Sequence, residues 1–339
     1  MPTSRILGYA LGEGAIAITM NGIANFALLY YTSVLQLGAG MAGLALSISV
    51  LWDAVTDPLM GHLTDNTRSR WGRRMPYVLI GGLLLAPAFF VLWIMPVGAP
   101  VWLLFTLAVA ASLLIRTLVT VFSIPYVALG FEVCPGYEDR SRLQGIRTAF
   151  NMAVNLVFGA FAWTLFFQDG RGPDGARLDG TSVAGNYAVM GAVLSATVVV
   201  MVLLCVWANR DRAVDNRGEH LEGNSLHAFR TDFGQIFTDR LAWRVFGFSA
   251  IALLGMLFVS QMQMFVYVFF MEFSPGEKTF VHGGGMVAAG FGALFQAVLT
   301  KTFDKKTAGY AGMVLGIAGG VLLLSVFTAG GLDPQAKWP

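Results

Sequence analysis

Runs of about 20 apolar residues recur along this 339-residue chain, near 7–31, 41–62, 76–96, 101–130, 146–167, 186–207, 243–271, 283–300 and 309–329. At 1.5 Å of rise per residue, about 20 residues of helix cross the roughly 30 Å hydrocarbon core of a bilayer. In that core every backbone amide must be satisfied without water, which leaves helices and closed barrels as the only spanning structures. Continuous runs of this length select helices over the alternating strands of a barrel. The bulk composition agrees: 56% of residues are hydrophobic and 12% are charged, against about 25% charged in an average soluble domain. The sequence therefore predicts an all-α integral membrane protein with about nine transmembrane helices.

The basic residues set the orientation. With the amino terminus inside, the connections at 63–75, 131–145, 208–242 and 301–308 are inside as well, and they hold most of the cations, including Arg68, Arg70, Arg73, Arg74, Arg140, Arg142, Arg210 and Lys305. Only Arg171, Arg177, Lys278 and Lys337 fall outside, and Arg116 falls within a span. This asymmetry predicts a multi-pass plasma (inner) membrane protein with a cytoplasmic N-terminus. The same dispersal of charge among short loops argues against a nucleic-acid partner. The first run starts almost at Met1, has only Arg5 as a basic flank and reaches Tyr31, too long for the apolar core of a signal peptide. His62, His220, His227 and His282 show no ligand spacing, so no structural metal or cofactor is expected. The acids at 169, 174 and 179 lie five apart and do not match a calcium loop, so the outer segment 168–186 is expected to be a flexible connector.

Domain organisation follows from the polar inner segment 209–242, which separates six predicted helices from three. The expected domains are 1–208, an N-terminal six-helix bundle; 209–242, a cytoplasmic loop between bundles; and 243–339, the first three helices of a C-terminal bundle. The inner connections after the second and eighth runs, Gly61 to Arg74 and Leu299 to Lys306, are both short and basic with an aspartate near the preceding helix end. They lie six helices apart, the spacing of two parallel six-helix repeats.

Against this apolar background a few polar side chains stand out. Asp53 and Asp57 lie one helical turn apart in the second run, with Thr56 beside them. A carboxylate at mid-membrane costs at least about 2.5 to 3.5 kcal/mol, so the pair must face protein, water or a bound cation. Hard oxygen ligands suit Na+ or another hard cation, and either acid could instead carry a proton. Pro58 frees a backbone carbonyl near Ala54 that could join such a site. In the fourth run Arg116, Thr120 and Ser123 share a face. Arg116 must either pair with Asp53, Asp57 or Glu13 or bind an anionic substrate group. Glu13, Asn21 and Asn25 are the polar residues of the first run, and Glu13 is the costliest of them to bury.

The string Asp53-Ala54-Val55-Thr56-Asp57-Pro58-Leu59-Met60-Gly61, followed by Asp65-Asn66-Thr67-Arg68-Ser69-Arg70-Trp71-Gly72-Arg73-Arg74, resembles the glycoside-pentoside-hexuronide:cation symporter family, the melibiose-permease-like branch of the major facilitator superfamily. Gly8 to Glu13, Tyr30-Tyr31-Thr32, Ser123-Ile124-Pro125-Tyr126 and Glu138 to Leu143 extend the likeness. It implies the major facilitator fold, with twelve helices, so that the present chain is expected to be a C-terminally truncated form. It also implies cation (Na+, H+ or Li+) coupled symport of a sugar or sugar-acid by alternating access, in a monomer. By the resemblance, Asp53, Asp57 and Thr120 form the cation site. Glu13, Asn25, Arg116, Ser123 and Arg147 are the candidates for contact with substrate. Of these, Arg147 and Glu13 match family positions, Ser123 stands where melibiose permease has its sugar-binding aspartate, and Arg116 has no family counterpart. Asp65, Arg68 and Arg73 would latch the inner face by ion pairs. Two other classes remain open: an integral-membrane enzyme using the buried acids on a lipid-linked substrate, and a non-transporting truncated homologue.

Overall fold

The computed structural model describes residues 3–67, 69–134, 136–171, 177–215, 240–302 and 305–328. Helices α1 (Thr3–Gly22), α2 (Ala39–Asp65), α3 (Met75–Leu92), α4 (Val101–Val133), α5 (Tyr137–Val154), α6 (Phe161–Phe166) and α7 (Ala184–Asp215) precede α8 (Arg240–Phe265), α9 (Pro275–Thr302) and α10 (Lys305–Thr328). Short π-helical segments follow α1, at Ile23–Ala27 and Tyr30–Val34, join α5 to α6 at Asn155–Ala160, and extend α8 at Val266–Phe270. Six stretches among the described residues are long and apolar enough to span a bilayer: Ser4–Ala27, Ala39–Asp65, Met75–Leu92, Val101–Val133, Arg142–Phe166 and Ala184–Arg210. They coincide with the first six apolar runs of the sequence, and α8 to α10 cover the other three.

Local chemistry explains where the helices start and stop. Pro100 and Gly38 precede α4 and α2 in extended backbone. Gly72 and Gly98 take positive φ, 83° and 82°, in the tight connections before α3 and α4, where a Cβ is disfavoured. The clearest departure from the sequence expectation is α9, which begins at Pro275, well before the run predicted from 283. Ser274 and Glu277 make a capping box. The Ser274 amide donates to Glu277 Oε2 at 2.7 Å and the Glu277 amide to Ser274 Oγ at 3.4 Å, with Pro275 as the first helical residue. The outer segment also holds more structure than a plain connector. Strands β1 (Gly170–Arg171) and β2 (Arg177–Leu178) pair antiparallel, Gly170 opposite Leu178 and Arg171 opposite Arg177.

The chain forms two compact units, one of Met1–Val154 with Thr181–Met264, the other of Asn155–Gly180 with Phe265–Pro339. In the first, α4 packs on α2 and α3, and α7 packs on α1 and α3. Its core is aromatic at one end, where Tyr30, Trp93, Phe89 and Tyr187 meet ring to ring. The Met95 amide there donates to the Tyr30 hydroxyl at 3.1 Å. Deeper in, α1 and α4 are joined by a reciprocal pair of tyrosines. Tyr9 Oη donates to the Tyr126 carbonyl at 2.5 Å, Tyr126 Oη donates to the Tyr9 carbonyl at 2.9 Å, and the rings stack at 4.4 Å. Each ring rests in a notch left by a glycine: a Cβ on Gly130 would lie 2.5 Å from Tyr9 Oη, and one on Gly12 would strike the Tyr126 ring. Small residues of this kind are how membrane helices come close without a hydrophobic driving force between them.

In the second unit, α9 packs on α6 and on the π segment Asn155–Ala160. Lys278, only 1% exposed, donates to Asp179 Oδ2 at 2.7 Å and lies 5.4 Å from the centre of the Trp163 ring. The ion pair ties the first turn of α9 to the segment after β2.

Candidate cation and substrate site

Helices α2 and α4 bring the two aspartates and two of the predicted partners together. The α2 face toward α4 is made of Ala42, Ala45, Ser49, Thr56 and Met60, all buried. Asp53 and Asp57 flank this face one turn apart. On α4, Arg116 and Thr120 are likewise one turn apart. The result is two matched cross-links. Arg116 donates to Asp53 Oδ2 at 2.8 Å, and Thr120 Oγ1 donates to Asp57 Oδ1 at 2.7 Å. Thr56 Oγ1 lies 3.4 Å from Thr120 Oγ1, and Trp52 Nε1 donates to Thr117 Oγ1 at 2.9 Å, fixing the register of the two helices. Asp53 Oδ1 is buried and accepts no hydrogen bond among the described residues.

Two carboxylates, one of which keeps an oxygen without a hydrogen bond among the described residues, and two hydroxyls are oxygen ligands of the kind a hard cation takes. Thr120 is 3% exposed, so its hydroxyl points only at protein partners. α2 runs unbroken through Pro58, which cannot donate to the Ala54 carbonyl and so leaves that oxygen available.

A second polar cluster joins α1 to α5. Arg147 Nε donates to Glu13 Oε2 at 3.0 Å, and a second nitrogen, Nη2, reaches the same oxygen at 2.5 Å. Asn151 Nδ2 donates to Glu13 Oε1 at 3.1 Å, so both carboxylate oxygens are engaged. The guanidinium also lies 5.2 Å from the Tyr126 ring centre and 5.9 Å from that of Tyr9, within the range of cation–π attraction. Arg147 is thus held by a carboxylate on one side and by the tyrosine pair on the other. Its remaining nitrogen, Nη1, bonds Gln144 at 3.0 Å.

The other predicted site residues are placed less centrally. Ser123 is half-buried one turn beyond Thr120, and Asn25 is buried in the π segment after α1. Among the described residues, neither hydrogen-bonds to a member of the two clusters. At the end of α2, Asp65 pairs with Arg74 at 2.9 Å. Arg73 forms an ion pair with Glu132 near the end of α4, its Nε donating at 2.8 Å, and Arg74 Nε lies 3.0 Å from the same carboxylate off the hydrogen-bond line. Arg68 lies outside the described residues.

Asn151, Glu132, Arg74 and the two tyrosines are participants that the sequence reading did not single out. Asn151 was findable, since it follows Arg147 by one turn. Glu132 carried a weaker signal, an acid in the last turn of an apolar helix whose short inner connections are basic. Nothing in the spacing marks Tyr9 as the partner of Tyr126, 117 residues away.

Half-buried carboxylates and an arginine lodged within apolar helices define a multi-pass membrane protein with a polar site inside its spans. The chain belongs to the MFS/sugar transport protein family, whose sequence profile it matches over residues 8–337. This bears out both the resemblance and the all-α major facilitator fold drawn from the sequence. It is 35% identical over 156 residues to an uncharacterized symporter of Synechocystis, 44% of this chain and 29% of that one. It is 27% identical over 214 residues to the inner membrane symporter YicJ of Escherichia coli, 61% of this chain and 43% of that one. It is 31% identical over 160 residues to sodium-dependent lysophosphatidylcholine symporter 1-A of Danio rerio, 46% of this chain and 28% of that one. The chain spans less than half the length of the curated relatives it matches.

Proposed function

We propose that this chain is the cation- and substrate-binding part of a secondary active transporter that couples Na+, H+ or Li+ to symport of a sugar or sugar-acid. The observation that carries the reading is the pair of cross-links between α2 and α4, which sets Asp57 beside Thr120 and leaves one oxygen of Asp53 without a donor. Asp53, Asp57 and Thr120 hold the cation. Binding it neutralises charge that otherwise keeps the site open to water, and so orders the cavity for substrate. Glu13, Arg147, Arg116, Ser123 and Asn25 contribute to substrate binding, with the Glu13–Arg147 pair offering both an acceptor and a fork of donors to hydroxyl or carboxylate groups. Asp65, Arg68 and Arg73 latch the inner face, Arg73 through Glu132. The bundles at 1–208 and 243–339, joined by the loop 209–242, rock in alternating access. The protein acts as a monomer in the inner membrane with its N-terminus in the cytoplasm. YicJ is named as an inner membrane symporter and the zebrafish relative as sodium-dependent, which supports the location and the choice of sodium as first cation.

The test is uptake by the protein in membrane vesicles under imposed sodium, lithium or proton gradients. A screen of glycosides, glucuronides and lysophosphatidylcholine separates the substrate classes. Asp53→Cys is expected to abolish gradient-driven accumulation, and unchanged accumulation would remove the cation-site assignment. Turnover of a labelled lipid-linked sugar without gradient-driven uptake would favour an enzyme instead.

A further inference from the structure

We propose that Arg116 is a tethered competitor for the coupling cation, and that the guanidinium displaced from Asp53 becomes the anchor for an anionic group on the substrate. The inference rests on the cation-site reading above and concerns how that site is regulated.

The two α2–α4 cross-links are alike in geometry and different in charge. At the Asp57 level the α4 partner is a neutral hydroxyl, which can stay in place when a cation arrives and turn a lone pair toward it. At the Asp53 level the partner is itself a cation, 2.8 Å from Oδ2. Arginine keeps its charge at any accessible pH, so with both acids ionised the site holds two carboxylates against one guanidinium. A sodium or lithium ion that draws on Asp53 as well as Asp57 meets the repulsion of Arg116 and must loosen its hold.

The released guanidinium cannot remain unpaired. The Arg116 side chain is 19% exposed and the Asp53 side chain 25%, so a guanidinium that loses its partner there is left with a largely buried, uncompensated charge. A compact anion, such as a carboxylate, sulfonate or phosphate, matches its planar fork of donors. Cation first, anion second then follows from charge pairing alone. Without the cation, Asp53 occupies the fork; with it, the fork is open to substrate. Linkage requires the converse, that the anion raise cation affinity by the same factor.

The test is equilibrium binding to the purified 339-residue chain in nanodiscs, with sodium and lithium as cation probes and methyl glucuronide and its neutral twin, methyl glucoside, as substrate probes. Arg116→Gln is expected to bind sodium about 10- to 100-fold more tightly than wild type, because a unit positive charge a few ångströms from the ion has been removed. Arg116→Lys, a poorer fork with the same charge, is expected to fall between the two. Should Arg116→Gln fail to fold, Arg116→Lys decides alone. Tighter binding than wild type supports the competitor, and equal or weaker binding overturns it. In wild type, sodium is expected to raise glucuronide affinity about 5- to 150-fold, the range of typical coupling energies, and Arg116→Gln is expected to lose that gain. The anchor role is overturned if the acid binds equally with and without sodium, if Arg116→Gln binds it as wild type does, if the glucoside binds as tightly, or if the acid does not bind. Asp57→Asn separates the two readings. Sodium binding that needs Asp57 but ignores Arg116 overturns only this inference, whereas sodium binding indifferent to Asp57 overturns the cation site itself, and a wild type that binds neither sodium nor lithium overturns this inference and the sodium or lithium form of that site together.

Discussion

Thr120 shows how much one hydroxyl can do inside a span. It is buried, donates to Asp57 and lies against Thr56, so Thr120→Val, nearly the same shape, removes a charge-assisted hydrogen bond, the contact with the Thr56 hydroxyl and the proposed ligand oxygen. Such a bond contributes about 1.5 to 3 kcal/mol to stability, so Thr120→Val is expected to lower the melting temperature and, with the proposed ligand hydroxyl gone, to weaken sodium binding about tenfold or more. Gly130 makes the opposite case, where absence of a side chain is the contribution. Gly130→Val would drive a methyl group into Tyr9, whose ring is fixed by its stack on Tyr126. Overpacking of this kind costs about 1 to 3 kcal/mol, visible as a lower melting temperature, whereas Gly61→Ala, whose new Cβ has its nearest neighbour 4.0 Å away, is expected to be neutral or stabilising. The aspartates of α2 and the polar face of α4 were legible in the sequence because helical spacing puts residues one turn apart on one side. The Glu13–Arg147 bond was not, because 134 residues separate the partners and no local period connects them.

Among the elements, α9 shows what a hydropathy window misses. Ser274, Pro275 and Glu277 start the helix by hydrogen bonds and fixed φ, but they are polar or ring-constrained and do not register as apolar. That early start is what delivers Lys278 to Asp179 and Trp163. A lysine so fully buried is tolerated only with a counter-charge. Asp179→Asn is expected to destabilise the protein by about 3 to 5 kcal/mol, and Lys278→Met added to it is expected to restore much of the loss, since apolar replacement of both partners is often neutral. Thermal denaturation of the two variants checks this, and a double variant no more stable than Asp179→Asn alone would refute it. Two aspartates of the outer segment are thus structural: Asp179 holds Lys278, and Asp169 Oδ1 accepts the Gly180 amide at 3.3 Å.

For the whole molecule, the charge asymmetry predicts which face is cytoplasmic. In a chain lacking Cys134 and Cys205, both of which are buried, a cysteine at Ser69 is expected to react with an impermeant maleimide in inside-out vesicles only, and one at Gln168 in right-side-out vesicles only; the reverse pattern would invert the topology. The sequence by itself determined the class of protein, the positions of its first six spans and the presence of an acidic pair within one of them, because in lipid an apolar run must be a helix and an acid within it must face inward. Tertiary structure alone decided which charges are spent on one another. Arg116 took Asp53, Glu13 took Arg147, Glu132 took Arg73, and the tyrosines of α1 and α4 locked together through glycine notches. Each of these joins residues far apart in sequence, and only the packed arrangement of the helices brings the partners within reach.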